Sequence, residues 1–297
     1  MDSQLPPLDR LPSLFISFYD VRCYYFSGEL TPCEGDLNSK LGNTLIEPGG
    51  GKNKMMKQCT RTLQLRTKDC DVNGLWKYSS ILETMQEAAG DHCSALGCGR
   101  TELAKRGLAW VIVRNEIRME RHPSFDETVT ITTFHKPVRH RFFPRYFIIR
   151  NEAYETIGMA STLWVLIDLQ TRQTADPTYV VSLMPDNSDL DAPMPFPAHI
   201  LDCNGESTVI NRMVQYTDLD MTGHVNNARY ADWFCNALGS DVLRNEMISS
   251  MILNYNTEIL EGQIVTLTLT RNNDKSAMTG TVEGKNAFEI GCTLQKV

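Results

Sequence analysis

The chain has 297 residues, of which 42% are hydrophobic, so it is long enough for one large domain or two ordinary ones with a buried core. Its 29 basic and 36 acidic side chains give a net charge of −7, which argues against general binding to nucleic acid or to an anionic membrane. No apolar run approaches the roughly 20 residues of a membrane span. The composition therefore predicts a globular protein, which we expect to be cytoplasmic.

The nine cysteines form no paired CxxC set, and this pattern favours free thiols in a reducing compartment. His92, Cys93 and Cys98 are a conceivable metal-binding group, but they fall on one helix or at its end, and no fourth ligand is evident. The sequence also contains no phosphate-binding loop, dinucleotide fingerprint or nucleophile elbow. We therefore expect neither a metal nor a cofactor.

The N-terminal segment, residues 1–54, mixes aromatic residues, proline and glycine without a sustained period, and it ends in the run EPGGGKNKMM. We expect it to be a poorly ordered extension. The functional protein is expected to begin near Met55 or Met56.

Residues 55–175 are expected to form a first domain, beginning with the strand TRTLQLR. A helix should follow, with Ser79 or Ser80 as its N-cap, Glu83 available for a capping box, and Gly97 at its end. Four segments rich in β-branched and aromatic residues then predict four strands: GLAWVIVRNEIRM, ETVTITTF, RYFIIRNEA and ASTLWVLIDLQ.

A second domain repeats this plan. Five prolines mark residues 176–206 as a linker, and residues 207–297 again read as a strand, a helix and four strands, of which MILNYNTEI is the first. The strand-to-helix junction is DCDVNG in the first copy and DLDMTG in the second, at a constant offset of 149 residues, which indicates duplication. Without alternating βαβ units, this order predicts an α+β protein with antiparallel sheets wrapped around two helices.

The second junction, residues 216–238, is where we expect the chemistry. Asn226 or Asn227 can cap a helix that begins near Asn227. Backbone N–H groups ahead of that helix would lack intrahelical partners and could stabilise an oxyanion. These N–H groups belong to Gly223, Val225, Asn226 and Asn227.

Two interpretations of the acidic residues at this junction stay open. Asp218 and Asp220 can simply satisfy backbone donors in an Asx-turn, and His224 can be a satisfied residue at the start of a helix. Alternatively, Asp220 orients His224 or activates a water. The first copy has Leu75 in place of His224, so catalysis is expected only in the second copy.

Several motifs resemble one known family. The run DLDMTGHVNNARYADW resembles the signature DLDMNxHVNNxxYxxW of the acyl-acyl carrier protein thioesterases, and YNTEI resembles their second motif, YRREC. In the first half, LETMQEAAGDHCSALG resembles the first helix of the family, and MERHPSFDETVTITTF resembles its ERYPxWGDxVxIxTW strand pair. The resemblance covers about residues 59–297 and implies a tandem (double) hotdog fold.

The resemblance implies a catalytic network of Asp220, His224 and Glu258. Thr222 stands where the family has a catalytic asparagine, and it keeps a hydroxyl but loses the amide N–H groups. Ile259 replaces the family's cysteine, which favours attack by water over an acyl-cysteine mechanism. The implied reaction is hydrolysis of acyl-acyl carrier protein, which releases a free fatty acid and terminates fatty acid synthesis.

The implied partner is an acyl carrier protein with its phosphopantetheine-linked acyl chain. Leu82, Met85 and Ala89 are candidates to line an acyl pocket, although ordinary core is the alternative. Four cations in the segment HKPVRHRFFPRYFIIR are candidates to attract the acidic carrier, or to protect a hairpin edge: Lys136, Arg139, Arg141 and Arg145.

Two other functions and the oligomeric state stay open. A coenzyme A thioesterase of the related hotdog type would share the helix-start chemistry, and Asp71 offers it a second carboxylate. A degenerate hotdog that binds acyl chains without cleaving them would account for Thr222. A homodimer is also compatible with the sequence.

Overall fold

The computed structural model describes residues 56–200 and 203–296, so the extension predicted for residues 1–54 lies outside the described residues. The first half contains β1 (Cys59–Gln64), α1 (Tyr78–Ala95), α2 (Arg100–Ala104), β2 (Leu108–Met119), β3 (Thr128–His135), β4 (Phe142–Arg150) and β5 (Thr156–Asp168). A short helix, α3 (Thr178–Leu183), follows. The second half contains β6 (Glu206–Met213), α4 (Arg229–Leu238), α5 (Ser240–Leu243), β7 (Glu246–Tyr255), β8 (Ile264–Asn272), β9 (Lys275–Val282) and β10 (Lys285–Lys296).

The ten strands form one antiparallel sheet in the order β1-β3-β4-β5-β2-β7-β10-β9-β8-β6. The order on one side of the central β2–β7 pair mirrors the order on the other, so an approximate twofold axis relates the two halves. The central pairing runs from Arg114 opposite Asn254 to Arg118 opposite Ser250. Backbone hydrogen bonds between these two strands join the halves into a single sheet.

The two principal helices bury their apolar faces on this sheet. In α1 the fully buried side chains include Ile81, Leu82 and Met85, and in α4 they include Trp233 and Phe234. They belong to one core cluster that draws on both halves. Burial of each large side chain contributes about 1.5–3 kcal/mol to the stability of the fold, so this packing fixes the two helices on the sheet. The prediction of an α+β protein is confirmed. Among the described residues, the helices are too short or too polar to span a membrane.

Both helices begin at other residues than predicted. Helix α1 starts at Tyr78 with Lys77 as its N-cap, because the buried Ser80 hydroxyl donates to Asp69 Oδ1 (3.0 Å) and ties the first turn to the preceding loop. Helix α4 starts at Arg229, because the side chain of Asn226 accepts the N–H of Ala228 (2.9 Å) in a separate turn before the helix.

The two loops that precede the helices repeat the same backbone bonds. Asp71 N–H donates to Leu75 O, and Asp220 N–H donates to His224 O, both at 2.9 Å. Gly74 and Gly223 both take a positive φ, +74° and +80°, that a side chain would disfavour. The offset of 149 residues therefore describes a structural repeat as well as a sequence repeat.

Candidate active site

A tight loop before α4 holds the polar residues of the second copy. Asp220 Oδ1 accepts the backbone N–H of Thr222 (2.7 Å), and the carbonyl of Asp220 accepts the N–H of Gly223 (3.0 Å). These bonds form the predicted Asx-turn. The turn also directs the side chains of Thr222 and His224 towards each other, so its structural role and a catalytic role are compatible.

Four side chains form one continuous relay. The Thr222 hydroxyl contacts Asp220 Oδ1 on one side and lies 3.0 Å from His224 Nδ1 on the other. His224 Nε2 lies 3.3 Å from Glu258 Oε2. The structure thus brings together Asp220, Thr222, His224 and Glu258. The His224 side chain is 17% exposed and that of Glu258 is 34% exposed, so water and a substrate can reach this end of the relay.

A count of protons gives the bonds their direction. The Asp220 carboxylate only accepts, so Thr222 donates its single hydroxyl proton to it. The Thr222 oxygen then accepts from Nδ1–H of His224, which leaves Nε2 of the neutral imidazole with a free lone pair. This lone pair and the Glu258 carboxylate are two neighbouring bases that can hold one proton between them or accept from one water molecule.

Glu258 lies in a loop, because β7 ends at Tyr255; the prediction that placed this residue in a strand was wrong. The loop is tied to the start of the helix, since the N–H of Val225 donates to Ile259 O (2.9 Å). This bond joins the two motifs in space and sets the distance between His224 and Glu258.

Arg172 is a site residue that the sequence analysis missed. It lies in the turn after β5 with a left-handed φ of +58°, and its guanidinium contacts Glu258 Oε2, the oxygen that also faces His224. The first half of the chain therefore supplies a cation to the site in the second half. No local motif marks Arg172, since its contact joins residues 86 positions apart.

The predicted oxyanion donors are mostly occupied. The N–H groups of Gly223, Val225 and Asn226 already donate to the carbonyls of Asp220, Ile259 and Asp218, respectively. The prediction was wrong for these three, because the loop uses them to hold its own shape. Within residues 56–200 and 203–296, the N–H groups of His224 and Asn227 have no acceptor, so they are the donors that remain.

The candidate acyl pocket is small. Leu82 and Met85 line a cavity of about 10 Å³ together with Phe147, which is space for roughly one water molecule. Ala89 is packed in the core instead and does not line this cavity. Ligand pockets usually measure ~300–1,000 Å³, so an acyl chain requires the side chains around the cavity to move apart.

The four candidate docking cations have different surroundings. Arg139 and Arg141 are exposed; Arg139 stacks over Phe196, and Arg141 contacts Thr174 in the loop that follows Arg172. Lys136 donates to the carbonyls of Asn187, Ser188 and Leu190 and so anchors the segment after β5. Arg145 is only 4% exposed, so the prediction that it meets a carrier was wrong.

Arg145 also contacts His92 and Cys93, two residues of the group that the sequence made a conceivable metal site. Its guanidinium donates to His92 Nδ1 (3.1 Å) and to Cys93 Sγ (3.3 Å), so a cation already lies where a metal would have to bind. Burial and the positive charge of Arg145 lower the pKa of His92 to about 4. His92 is therefore neutral at pH 7, and this cluster is part of the core.

The first-half counterpart of the site is closed. The bond from Trp76 N–H to Pro123 O matches the bond from Val225 N–H to Ile259 O, so His122 stands where the second half has Glu258. His122 is 7% exposed, and its Nε2 lies 2.9 Å from the Ile248 carbonyl. The exposed Asp71 accepts backbone N–H groups in its own turn, from Asn73 and Leu75. Among the residues that the structure describes, Asp71 has no imidazole or carboxylate partner of the kind that completes the second-half relay.

The sequence matches two family models, the acyl-ACP thioesterase N-terminal domain over residues 56–178 and the acyl-ACP thioesterase C-terminal domain over residues 202–291. The chain belongs to the acyl-ACP thioesterase family. Its relatives in this family include an acyl-[acyl-carrier-protein] hydrolase of Cuphea viscosissima, 24% identical over 75% of this chain and 56% of that protein. The dodecanoyl-[acyl-carrier-protein] hydrolase of Umbellularia californica is 24% identical over 87% of this chain and 71% of that protein. The chain spans 51–65% of the length of three Cuphea viscosissima hydrolases that it matches.

Solved structures of family members share the fold. The acyl-ACP thioesterase of Bacteroides thetaiotaomicron superposes with a TM-score of 0.74 at 20% identity, covering 80% of this chain and 98% of that one. The 12:0-ACP thioesterase of Umbellularia californica gives a TM-score of 0.70 at 21% identity, covering 82% and 98%. These likenesses confirm the double hotdog fold.

Proposed function

We propose that this protein hydrolyses the thioester of acyl-acyl carrier protein, releasing a free fatty acid and thereby ending fatty acid synthesis. The observation that carries the proposal is the unbroken relay from Asp220 through Thr222 and His224 to Glu258. It supplies two adjacent bases at an accessible position, and this is what activation of a water molecule requires. Membership of the thioesterase family and the names of the curated relatives support the same substrate class.

In the proposed reaction, a water molecule hydrogen-bonded to the pair of bases, His224 and Glu258, loses a proton to this pair as its oxygen attacks the thioester carbonyl carbon. The carbonyl oxygen becomes negative, and in this proposal the N–H groups of His224 and Asn227 stabilise it. The carbon–sulfur bond then breaks, and the proton held by the pair passes to the leaving sulfur. The products are the free acid and the carrier thiol.

The substrate is proposed to enter from the side of the exposed cations. Arg172 contacts Glu258, Arg141 contacts Thr174 two residues further on, and Arg139 lies on the same turn as Arg141. Such a positive surface attracts an acidic carrier. The acyl chain would extend past Asn227 towards Leu82 and Met85. Met85 is a flexible side chain that can move to admit it.

The direct test is hydrolysis of acyl-carrier thioesters of graded chain length by the whole protein. We expect release of free acid by the wild type, and a loss on the order of a thousandfold for His224→Ala, whereas Leu75→Ala at the equivalent first-half position keeps the wild-type rate. Absence of hydrolysis on every carrier thioester would refute the proposal. Faster hydrolysis of the matching coenzyme A thioesters would reassign the substrate class, and binding without turnover would indicate a non-catalytic acyl-binding protein.

The location of the protein in the cell remains a prediction from its sequence. We propose a cytoplasmic location, although the plant relatives are named as chloroplastic. Fractionation of cells that produce the whole protein would test this proposal.

A further inference from the structure

The cavity beside Leu82 and Met85 has polar as well as apolar walls. Gln86, Asn115, Thr162 and Trp164 also line it. The Trp164 indole donates to the Thr162 hydroxyl (2.9 Å), and this hydroxyl donates to the Arg145 carbonyl (3.3 Å), so these two side chains have partners. Among the described residues, however, Asn115 Oδ1 and Gln86 Nε2 are buried atoms without a hydrogen-bond partner.

A β-bulge places Asn115 on this wall. The pairing of β2 with β5 shifts between Ile112 and Arg114, so Ile112 and Asn115, three positions apart, both face the cavity. The shift also turns Ile117 and Met119 towards the core, and both are almost completely buried. Asn115 is 1% exposed and is the polar residue among these inward-facing side chains of β2.

The orientation of the Asn115 amide follows from its neighbour. The Tyr255 hydroxyl donates its single proton to the Asn227 carbonyl (3.2 Å), which can only accept. Tyr255 therefore accepts from Asn115, whose Nδ2 lies 3.1 Å away, and the oxygen of the Asn115 amide is left facing the cavity. The cavity thus contains an acceptor from Asn115 and a donor from Gln86.

This pair of groups discriminates between substituents of an acyl chain. A methylene group leaves both atoms unpaired, and a keto oxygen can accept from Gln86 but gives nothing to Asn115. A hydroxyl group donates to Asn115 Oδ1 and accepts from Gln86 Nε2, so it pairs with both. Because two hydrogen bonds connect Asn115 through Tyr255 to Asn227 at the start of α4, the hydroxyl would lie near the thioester end of the chain.

From this geometry we infer that the preferred substrates are thioesters of hydroxylated acyl chains, with the hydroxyl at the β-carbon, bound between Asn115 and Gln86. The inference rests on the proposed hydrolysis and narrows its substrate class. The reaction itself is unchanged: water cleaves the carbon–sulfur bond, and the hydroxyl leaves with the acid. Sites that hydrogen-bond a substrate hydroxyl reject the analogue lacking it, because their polar groups then stay buried and unpaired.

The experiment compares β-hydroxydecanoyl, β-ketodecanoyl and decanoyl thioesters on the same carrier protein. For the wild type we expect kcat/KM to be on the order of a hundredfold higher with the hydroxyl substrate than with either other substrate. Asn115→Leu, which has a similar size but no acceptor, should remove this preference while hydrolysis of the decanoyl thioester continues. Gln86→Leu, on the partly exposed helix surface, is a second variant should Asn115→Leu fail to fold.

The matched control is Asn254→Leu. Asn254 is also buried, lies in the adjacent strand β7 and has an unpaired Oδ1, but it does not line the cavity. This variant should keep the preference for the hydroxyl substrate. Equal kcat/KM values for the wild type on all three substrates, or a preference that survives in both Asn115→Leu and Gln86→Leu, would overturn the inference.

Calorimetry with the free acids separates this inference from the proposed function. The wild type should bind β-hydroxydecanoate more tightly than decanoate by at least tenfold, and Asn115→Leu should bind the two equally. Equal affinity in the wild type overturns the hydroxyl subsite even where hydrolysis is observed. Selective binding of the hydroxy acid without any hydrolysis refutes the proposed enzyme and retains the subsite.

Discussion

Thr222 departs from the usual motif of its family within the relay itself, and the structure gives it a specific role. Its hydroxyl lies between Asp220 and His224 and can donate to the first while it accepts from the second. An amide in this position would offer separate donor and acceptor atoms on a longer side chain. Threonine therefore orients the imidazole through a single atom.

Replacing Thr222 tests whether this orientation matters. Thr222→Val preserves the shape but removes both hydrogen bonds, and we expect kcat to fall on the order of a hundredfold with little change in KM. Thr222→Ser should retain most of the activity. Thr222→Asn should lower kcat as well, since the loop geometry suits a hydroxyl. A Thr222→Val variant as active as the wild type would show that the relay does not orient His224.

Arg172 acts through Glu258, so we regard it as a positioning residue. Its guanidinium holds Glu258 Oε2 beside His224 Nε2. We expect Arg172→Gln to lower kcat by about tenfold or more and Arg172→Lys to recover part of that loss, as measured by steady-state hydrolysis. Unchanged kcat with a raised KM for the carrier would instead indicate that Arg172 only attracts the substrate.

Glu258 and Arg172 lie outside the loop that precedes α4, and they show the limit of what local sequence could reveal. Asp220 and His224 were predictable because residue type, the Asx-turn and the following helix are all encoded within a few positions. Glu258 was assigned only through its motif, since its strand-like surroundings gave no physical reason to choose it. Arg172 could not be found, because the turn after β5 and the fold of the other half together bring it to Glu258.

At the scale of elements, Arg145, a buried cation between α1, β3 and β4, was misplaced in the sequence analysis. Arg145 occurs in a basic segment, so it was predicted to lie on the surface with Arg139 and Arg141. Strand β4 instead directs it towards α1 and β3, where it donates to His92, Thr133 and Cys93. The Cys98 thiol donates to the Cys93 sulfur, and this bond together with the positive charge of Arg145 stabilises the thiolate form and lowers the pKa of Cys93.

Alanine substitutions separate this core role from docking. Arg145→Ala should reduce the free energy of unfolding by about 3 kcal/mol, because it removes buried contacts and leaves His92 Nδ1 and the Thr133 oxygen without the donor that they have in the wild type. Arg139→Ala should change stability by less than about 0.5 kcal/mol but raise KM for the carrier at low salt. Denaturant unfolding and hydrolysis assays on both variants provide the comparison. A raised KM for Arg145→Ala at unchanged stability would contradict the assignment.

The same cluster predicts how stability depends on pH. Burial and Arg145 lower the pKa of both His92 and His135 to about 4 in the folded protein, against about 6.5 in an unfolded chain. The unfolded state therefore binds more protons between these values, so stability is complete above about pH 6.5 and is lost as pH falls towards 4. Each histidine contributes up to about 1.4 kcal/mol per pH unit in that window. His135→Gln should flatten the decline seen in thermal unfolding, and an unaltered slope would argue against it.

At the scale of the whole molecule, duplication has produced two equivalent junctions and one complete site. The sequence predicted this asymmetry from Leu75 in place of His224, and the structure adds a reason that the sequence could not provide. Asn73, the counterpart of Thr222, donates its side-chain amide to the carbonyl of Leu243 (2.7 Å) instead of joining a relay. Contacts between the halves therefore hold the first junction in a structural role.

We therefore expect that introducing an imidazole does not make the first junction catalytically active. In a His224→Ala background, Leu75→His restores the missing imidazole at the equivalent position, but we expect no recovery of hydrolysis. Its Asn73 neighbour is engaged elsewhere, and His122 occupies the place of the glutamate. Adding His122→Glu should not help, because that side chain is buried against the carbonyls of Trp76 and Ile248, where a carboxylate would face other acceptors and destabilise the fold.

Leu75→His alone should keep the wild-type rate, which controls for folding. Recovery of more than a tenth of wild-type kcat in the double variant would mean that the two halves still carry interchangeable sites.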